Sequence, residues 1–387
     1  MIKIGVVTAT RAEYGLLKPL MKKIDKDSEC GLVLFVTGTH LIPEYGNTIN
    51  YIKEDGFQNF KEVYVDIRTE NSKEISLTMG RYFKEFATVF EENKIDILVV
   101  LGDRYELIPI CFCAVNAKIP IAHISGGEVT AGAIDDAIRH SVTKLSYLHF
   151  PACETYRKRI IQLGENPERV FNVGDPGVEN IYSNDFMEEN EIREKLNIPK
   201  NKDYFIVIFH PTTLEEISPI KQVEEVIKAI EKFEDIFFVV MKSNADLGGQ
   251  EVNERLFRYV KEKNNVVLFS SLKTNEYLSL QKYSCGMIGN SSSGIVETPC
   301  FGLPTINIGD RQKGRLMADS IINVSIEAKQ IESAIKESRK SAFKIKAKKT
   351  INPYGKGETS SSILKIIKEH IKSRNIDIKK VFYDLEV

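Results

Sequence analysis

The stretch GNSSSGIVETPCFGLPTINIGDRQKGR, from Gly289 to Arg315, sets Ser291, Ser292 and Ser293 between glycines and follows them with Glu297 and Arg311. Serine hydroxyls add hydrogen-bond donors without bulk. A helix that starts within the serines and runs to about Pro299 presents free N–H groups and a partial positive charge, which suits a phosphate. Gly294 leaves room for a ligand, and Glu297, on the first or second turn, can accept from ribose hydroxyls. Ser292 serves equally well as a plain N-cap, and Glu297 as a first-turn acid. Two phosphate signatures are excluded. GDRQKGRL keeps the glycines of a Walker loop but ends in Arg315-Leu316, and no GxGxxG occurs.

Other ionisable groups follow apolar runs. LVVLGDRYE carries Asp103 and Arg104, one a general base in form and the other a phosphate ligand, or else partners in a salt bridge at a helix start with Asp103 as N-cap. HISGGEVTAGAIDDAIRHSVTK carries His123, Glu128, Asp135, Asp136 and His140. Glu128 leaves a glycine-permitted loop, Asp135 can cap the next helix, and Asp136 and His140 share one helical face. An acid buried in such a loop can have its pKa raised into the working range of an acid or base. His210, before a proline, can donate to a phosphate oxygen or simply be a satisfied histidine at a domain edge. Thr10-Arg11 and Thr39-His40 follow the first two runs. HExxH and cysteine clusters are missing, so no metal site is expected.

These residues need a scaffold that gathers strand tips. Continuous apolar runs at 2–7, 33–37, 96–101, 119–123, 204–209, 236–241, 265–268, 285–289 and 303–308 predict strands buried on both faces. Amphipathic stretches at 74–93, 135–148, 216–233, 249–262 and 272–282 predict helices between them. The alternation gives an α/β fold of two doubly wound, Rossmann-like domains, with ligands expected beyond the carboxyl ends of the strands. Residues 1–178 form the expected first domain and 179–358 the second, with a polar linker near 178–203. The helix in 359–387 is free to pack back on the first domain.

Bulk composition narrows the classes. The 387 residues are 42% hydrophobic with a net charge of −1, so no global field draws in nucleic acid or an anionic membrane, and the basic run Lys344, Lys346, Lys348 and Lys349 reads as a solvated face or loop. No apolar run is long enough to span a bilayer, and the N-terminus MIKIGVVTAT reads as a strand. Six cysteines without a CxxC pair read as reduced core thiols in a cytoplasmic protein.

In this order, TATRAEYGLLKPL, GTHLIPEYGNTI, LGDRYE, HISGGE…AIDDAIRHSVTKLSYLHF, HPTT, SNADLGG, GNSSSGIVETPCFGLPTINIGDRQKGR and NPYGKGETS resemble the hydrolysing UDP-N-acetylglucosamine 2-epimerases of sialic-acid and legionaminic-acid biosynthesis. The resemblance covers roughly positions 1–370. It implies a glycosyltransferase-B-like fold with a UDP-sugar in the cleft between two domains. It implies no cofactor and no metal, no nucleic-acid or membrane partner, and a homodimer or homotetramer. Ser291, Ser292 and Glu297 then match contacts to diphosphate and ribose, with Arg311 in the UDP pocket. Arg11, Arg104, His210 and Asn244 match nucleotide-site positions, and His40 joins that binding group. Asp103 and Asp135 match catalytic carboxylates. Glu128 and His210 complete the catalytic set.

Two departures stand out. Ser125 occupies a place where several relatives carry glutamate two residues after the histidine, and Ala131 stands where many have glutamate. A serine cannot replace a carboxylate in proton transfer, so Glu128 becomes the nearest remaining acid. The implied reaction expels UDP from C1 while C2 loses a proton, then adds water at C1 and returns a proton to C2 from the other face. The diacetamido-trideoxy relative of UDP-N-acetylglucosamine is the alternative substrate. A glycosyltransferase or a non-catalytic sensor would be a different class, and the retained acids count against a sensor.

Overall fold

The computed structural model describes the chain except residues 44–45, 70, 130–133, 212–216, 244–248, 374–375, 377 and 386–387, and the side chain of residue 250. The chain divides into two compact units, one of Met1–Glu128, Ala133–Asn180 and Tyr354–Val387, the other of Val129–Gly132 and Ile181–Pro353.

The first unit is built on β1 (Ile2–Thr8), β2 (Cys30–Val36), β3 (Phe60–Glu62), β4 (Ile97–Leu101), β5 (Ile121–Ile124) and β6 (Leu148–Phe150). They form one sheet in the order β3-β2-β1-β4-β5-β6, with every pair parallel. The second unit is built on β7 (Tyr204–Ile208), β8 (Phe237–Met241), β9 (Val266–Phe269), β10 (Met287–Gly289), β11 (Thr305–Ile308) and β12 (Ile321–Val324). Its order, β12-β11-β10-β7-β8-β9, repeats the first with all pairs parallel. Both units are Rossmann-like. In each the strand order reverses at one pair, β1/β4 and β7/β10, the point where open sheets of this kind receive ligands.

Burial explains which strands the apolar runs foretell. β4, β7 and β8 are buried at every residue. The strands that escape, β3, β6 and β12, all lie at sheet edges. β3 and β12 leave residues exposed, as edges do, and so lack an apolar run. β6 begins at Leu148, where the stretch expected to be helical ends. That helix ends at Leu145 because Ser146 turns extended, with its N–H on the Thr143 carbonyl.

The helix Thr359–Lys372 belongs to the first unit. Its Ile363, Leu364 and Ile367 join one core with Leu17, Leu20, Met21 and Ile24 of the helix Arg11–Lys26. Burying each of these large aliphatic side chains stabilises by about 1.5–3 kcal/mol. Glu179 accepts the Ser360 N–H at 2.6 Å and so receives an otherwise unpaired first-turn donor. Cys30, Cys111, Cys113 and Cys153 are buried thiols, and no cysteine is in a disulfide.

Candidate functional site

Each unit gathers a polar cluster at the carboxyl edge of its own sheet. In the first, β4 ends at Leu101, Gly102 turns at a φ of +83°, and Asp103 follows. Asp103 is neither an N-cap nor the partner of Arg104. The N-cap position of the helix Leu107–Asn116 is Glu106. Asp103 instead accepts from Arg139 Nη2, 36 residues further on. Arg139 is 2% exposed, and its Nη1 donates to Asp136 Oδ1 at 2.7 Å and to the Glu128 carbonyl at 3.1 Å. One buried guanidinium thus ties together Asp103, Asp136 and the backbone of Glu128. Five fixed donors on a planar fork make arginine suited to this, where lysine would offer a point charge.

The loop that carries Glu128 is shaped by its glycines. Gly127 has a φ of +77°, and a Cβ there would stand 2.5 Å from the Tyr156 carbonyl. Its own carbonyl accepts from Arg159. Ser125 sits at a φ of 62°, with its N–H on the Phe150 carbonyl at 3.1 Å. Glu128 is buried, and Asp135 is the first residue of the helix Asp135–Leu145 while Ile134 takes the cap position. Asp135 is therefore not the N-cap that its place in the sequence suggests. His123 locks the base of the loop. Its Nε2 donates to the Gly102 carbonyl at 2.8 Å, and Nδ1 lies 3.2 Å from Thr143 Oγ1. Burial pushes its pKa down to about 3, so it is a neutral brace. Burial also lowers the pKa of His140, against the opposing pull of Asp136.

At the neighbouring tip of β1, Thr10 and Glu13 form a capping box. Glu13 Oε2 accepts from Ala9 and Thr10 N–H at 2.9 and 3.1 Å. Burial, reinforced by the charge of Glu106, raises the pKa of Glu13 to about 7. Arg104 donates to Glu106 Oε1 at 2.5 Å, and Arg11, exposed, lies over the Tyr51 ring at 5.3 Å. His40 makes its contacts within the protein. It is fully buried, with Nε2 3.0 Å from Thr8 Oγ1 and Nδ1 2.7 Å from Thr48 Oγ1. Both ring nitrogens are satisfied within the protein, so His40 braces the end of β1.

In the second unit the tips of β7 and β10 are joined by Asn290. Its Oδ1 accepts the His210 N–H, and its Nδ2 donates to the His210 carbonyl, both at 2.8 Å. Its own carbonyl accepts from Arg311 Nη1 at 3.0 Å and from Gln312 Nε2 at 2.8 Å. The His210 ring lies 3.2 Å from Ser243 Oγ. Burial, and then the nearby Arg311, push its pKa down to about 4, so it acts as a neutral imidazole at pH 7. Gly289 is obligatory here. At a φ of +138°, a Cβ would meet the Ile208 carbonyl at 1.8 Å.

The serine loop differs from its expected form. Only Ser293–Val296 is α-helical, and Thr298–Phe301 is a 3-10 turn, so there is no helix running from the serines to Pro299. Pro299, which lacks an N–H, sits at the start of the tighter turn. Ser292 holds the cap position without a side-chain capping bond and is exposed. Glu297 ends this single helical turn; it is not a first-turn acid. Gly294 packs against β11, where a Cβ would stand 2.8 Å from Thr305 Cγ2. Asn244 lies outside the described residues, as do Ala131 and the threonines of HPTT.

Sequence reasoning passed over Arg139, Asn290, Glu106 and Gln312. Only Arg139 had a local signal, its i,i+3 spacing from Asp136. Among the described residues no group of three or more His, Cys, Asp or Glu is placed to hold a metal ion. No described helix is long and apolar enough to cross a membrane.

Comparison with known proteins agrees with this layout. The family model described as UDP-N-acetylglucosamine 2-epimerase matches residues 22–368. The polysialic acid biosynthesis protein P7 of Escherichia coli is 41% identical over 386 residues, covering 100% of this chain and 98% of that protein. A GDP/UDP-N,N'-diacetylbacillosamine 2-epimerase (hydrolyzing) of Campylobacter jejuni is 38% identical, covering 99% of each. In fold, the chain matches the UDP-GlcNAc 2-epimerase of Neisseria meningitidis bound to UDP-GlcNAc, with a TM-score of 0.79 at 16% identity, over 95% of this chain and 100% of that one. With a family model spanning most of its length and full-length relatives well above 30% identity, the chain belongs to the UDP-N-acetylglucosamine 2-epimerase family.

Proposed function

We propose that the protein is a hydrolysing 2-epimerase that converts UDP-N-acetylglucosamine to N-acetylmannosamine and UDP. The observation that carries this reading is the buried Arg139, which assembles Asp103, Asp136 and the Glu128 backbone at one strand tip. A sensor would have no use for carboxylates held in place by a buried guanidinium. In the first stage a carboxylate takes the C2 proton. The C1–O bond to the diphosphate breaks, its electron pair leaves with UDP, and a C1=C2 glycal remains. In the second stage the water oxygen bonds to C1 and gives its proton to a carboxylate, while a carboxylic acid returns a proton to C2 on the opposite face. Asp103, Glu128 and Asp135 are the proton carriers in this scheme, because two acids on opposite sides of a sugar can exchange roles between stages.

Arg311, Ser291, Ser292 and Glu297 bind the UDP portion, with neutral His210 as a donor or acceptor beside it. Arg11 and Arg104 add cationic donors toward the departing diphosphate, and Asn244 joins this binding group. No cofactor takes part, and cationic and hydroxyl donors carry the diphosphate charge without a metal. A cytoplasmic location and a homodimer or homotetramer complete the proposal. The exposed aromatic pair Phe83 and Phe112, 6.2 Å apart, supports self-association.

A second substrate is favoured by a specific observation. The Campylobacter relative and one from Legionella pneumophila at 33% identity both carry names for the N,N'-diacetylbacillosamine nucleotide. Incubation with each UDP-sugar in D₂O without acceptor tests both levels. The expected result is UDP plus a free manno sugar bearing one deuterium at C2, with the higher kcat/KM naming the substrate. Release of UDP without deuterium at C2 would overturn the epimerase reading.

A further inference from the structure

The helix Thr274–Lys282 presents Tyr277 and Gln281 one turn apart, and so on one face, toward the two ends of the serine loop. Tyr277 Oη lies 2.7 Å from Ser293 Oγ, which lies 3.1 Å from Ser291 Oγ. Gln281 Nε2 donates to Glu297 Oε2 at 2.7 Å. Gln281 is 1% exposed, and its Oε1 is buried with no hydrogen-bond partner among the described residues. A glutamine placed to maximise its own bonds would not leave an oxygen buried and unmet. The amide is oriented for the carboxylate, which can only accept and so must face the NH₂. Among the described residues, Gln281 makes the one hydrogen bond to the Glu297 side chain.

We infer that Gln281 is a positioning residue that sets nucleotide specificity: by holding Oε2 of Glu297 it leaves the other carboxylate oxygen to accept from a ribose hydroxyl, while Tyr277 orients the serines for the diphosphate. The inference rests on the proposed binding of UDP by this loop. Without Gln281 the carboxylate would be free to rotate, and a hydroxyl would meet it in a fraction of its orientations. Burial raises the pKa of Glu297 and the Gln281 donor counters it, so losing that donor also weakens Glu297 as an acceptor.

The test is calorimetry on the full chain with UDP, 2'-deoxy-UDP and 3'-deoxy-UDP. Gln281→Met keeps length and burial but removes the donor. The expected result is a loss of about tenfold in affinity for UDP with little change for the deoxy nucleotide that lacks the recognised hydroxyl. A general folding lesion would weaken all three together. Tyr277→Phe should weaken all three by a similar factor and leave their ratio intact. In Gln281→Glu a protonated carboxyl can replace the amide donor, so selectivity should persist at low pH and fall as pH rises. Wild-type selectivity in Gln281→Met, or equal weakening of all three nucleotides, overturns the inference. Failure of the wild-type protein to bind UDP, or an unaltered UDP affinity in Glu297→Gln, sinks the functional reading instead.

Discussion

β4 and β10 hold the same place in their sheets, next to the strand that begins each unit, yet their tips are finished in opposite ways. Beyond β4 stands Asp103, tied by a buried guanidinium to a distant helix. Beyond β10 stands Asn290, which clasps the backbone of His210 through a neutral amide. A charged tip fits proton transfer, where a carboxylate must be held in one place while its protonation changes. A neutral tip fits diphosphate binding, where donors must be aimed at a fixed anion and a buried carboxylate would repel it. The same topology supports either, because a strand-order reversal offers a position and leaves the chemistry to the residue that follows.

The charged tip should be the more fragile. Arg139→Leu removes the group that unites the acidic cluster and leaves Asp103 and Asp136 without it. Both carboxylates keep access to water, so the stability cost should fall below the about 3–5 kcal/mol of a fully buried pair that loses one partner. The expected outcome is a clear drop in the urea midpoint together with loss of at least about a thousandfold in kcat. Arg139→Lys should recover much of the stability and little of the turnover, since one ammonium cannot reproduce the fork. Equal recovery of both would mean that charge alone, not geometry, is what the site requires.

Next in size are the acids themselves. Asp103→Asn should keep UDP affinity and lose kcat, because a single acid or base contributes about 10²–10⁴-fold. Glu128→Gln is expected in the same range. Isotope wash-in at C2 distinguishes them, since only the acid that removes the proton should suppress exchange. Near-wild-type turnover in either variant would remove that residue from the proposed proton relay.

How much of this contrast the sequence displays depends on range. Asp103 and the serine loop are legible because each follows a continuous apolar run, and a parallel sheet places such tips at one edge. Arg139 is half legible. Its bond to Asp136 is a helical neighbour contact, whereas its bond to Asp103 exists only once β4 and the helix after β5 are brought together. Asn290 is hidden for the same reason, since its partner is 80 residues away. Pro299 offered a visible reason to shorten the helix after the serines, and the tight 3-10 turn follows it. The edge strands β3 and β12 carry too few buried residues to leave a pattern.

The neutral tip should respond more mildly. Arg311→Ala removes a cationic donor beside Asn290 and His210, and charge-assisted contacts are worth about 1.5–3 kcal/mol, so UDP affinity should fall roughly tenfold or more. Ser292→Ala, at an exposed position, should cost less than Arg311→Ala. Calorimetry at two salt concentrations checks this. The Arg311 effect should shrink with salt and the Ser292 effect should not. A salt-insensitive Arg311 effect would point to loss of the Asn290 scaffold instead of a lost charge contact.

The smallest effect is expected at Ser125, although it lies inside the charged tip. A serine does not shuttle protons near neutrality, so Ser125→Ala should leave kcat almost unchanged. Its backbone is a different matter. With a φ of 62° it occupies the left-handed region, where a side chain is disfavoured and glycine is not. Ser125→Gly should therefore relieve local strain, offset by the extra freedom of the unfolded chain, for a net change within about 1 kcal/mol. Ser125→Glu, which introduces an acid two residues after His123, must hold a longer side chain in the same left-handed turn, so any rescue of Glu128→Gln should be partial. If Ser125→Ala abolishes turnover while Glu128→Gln stays active, Glu128 is a structural acid of the loop, and Asp103 and Asp135 must carry both proton transfers.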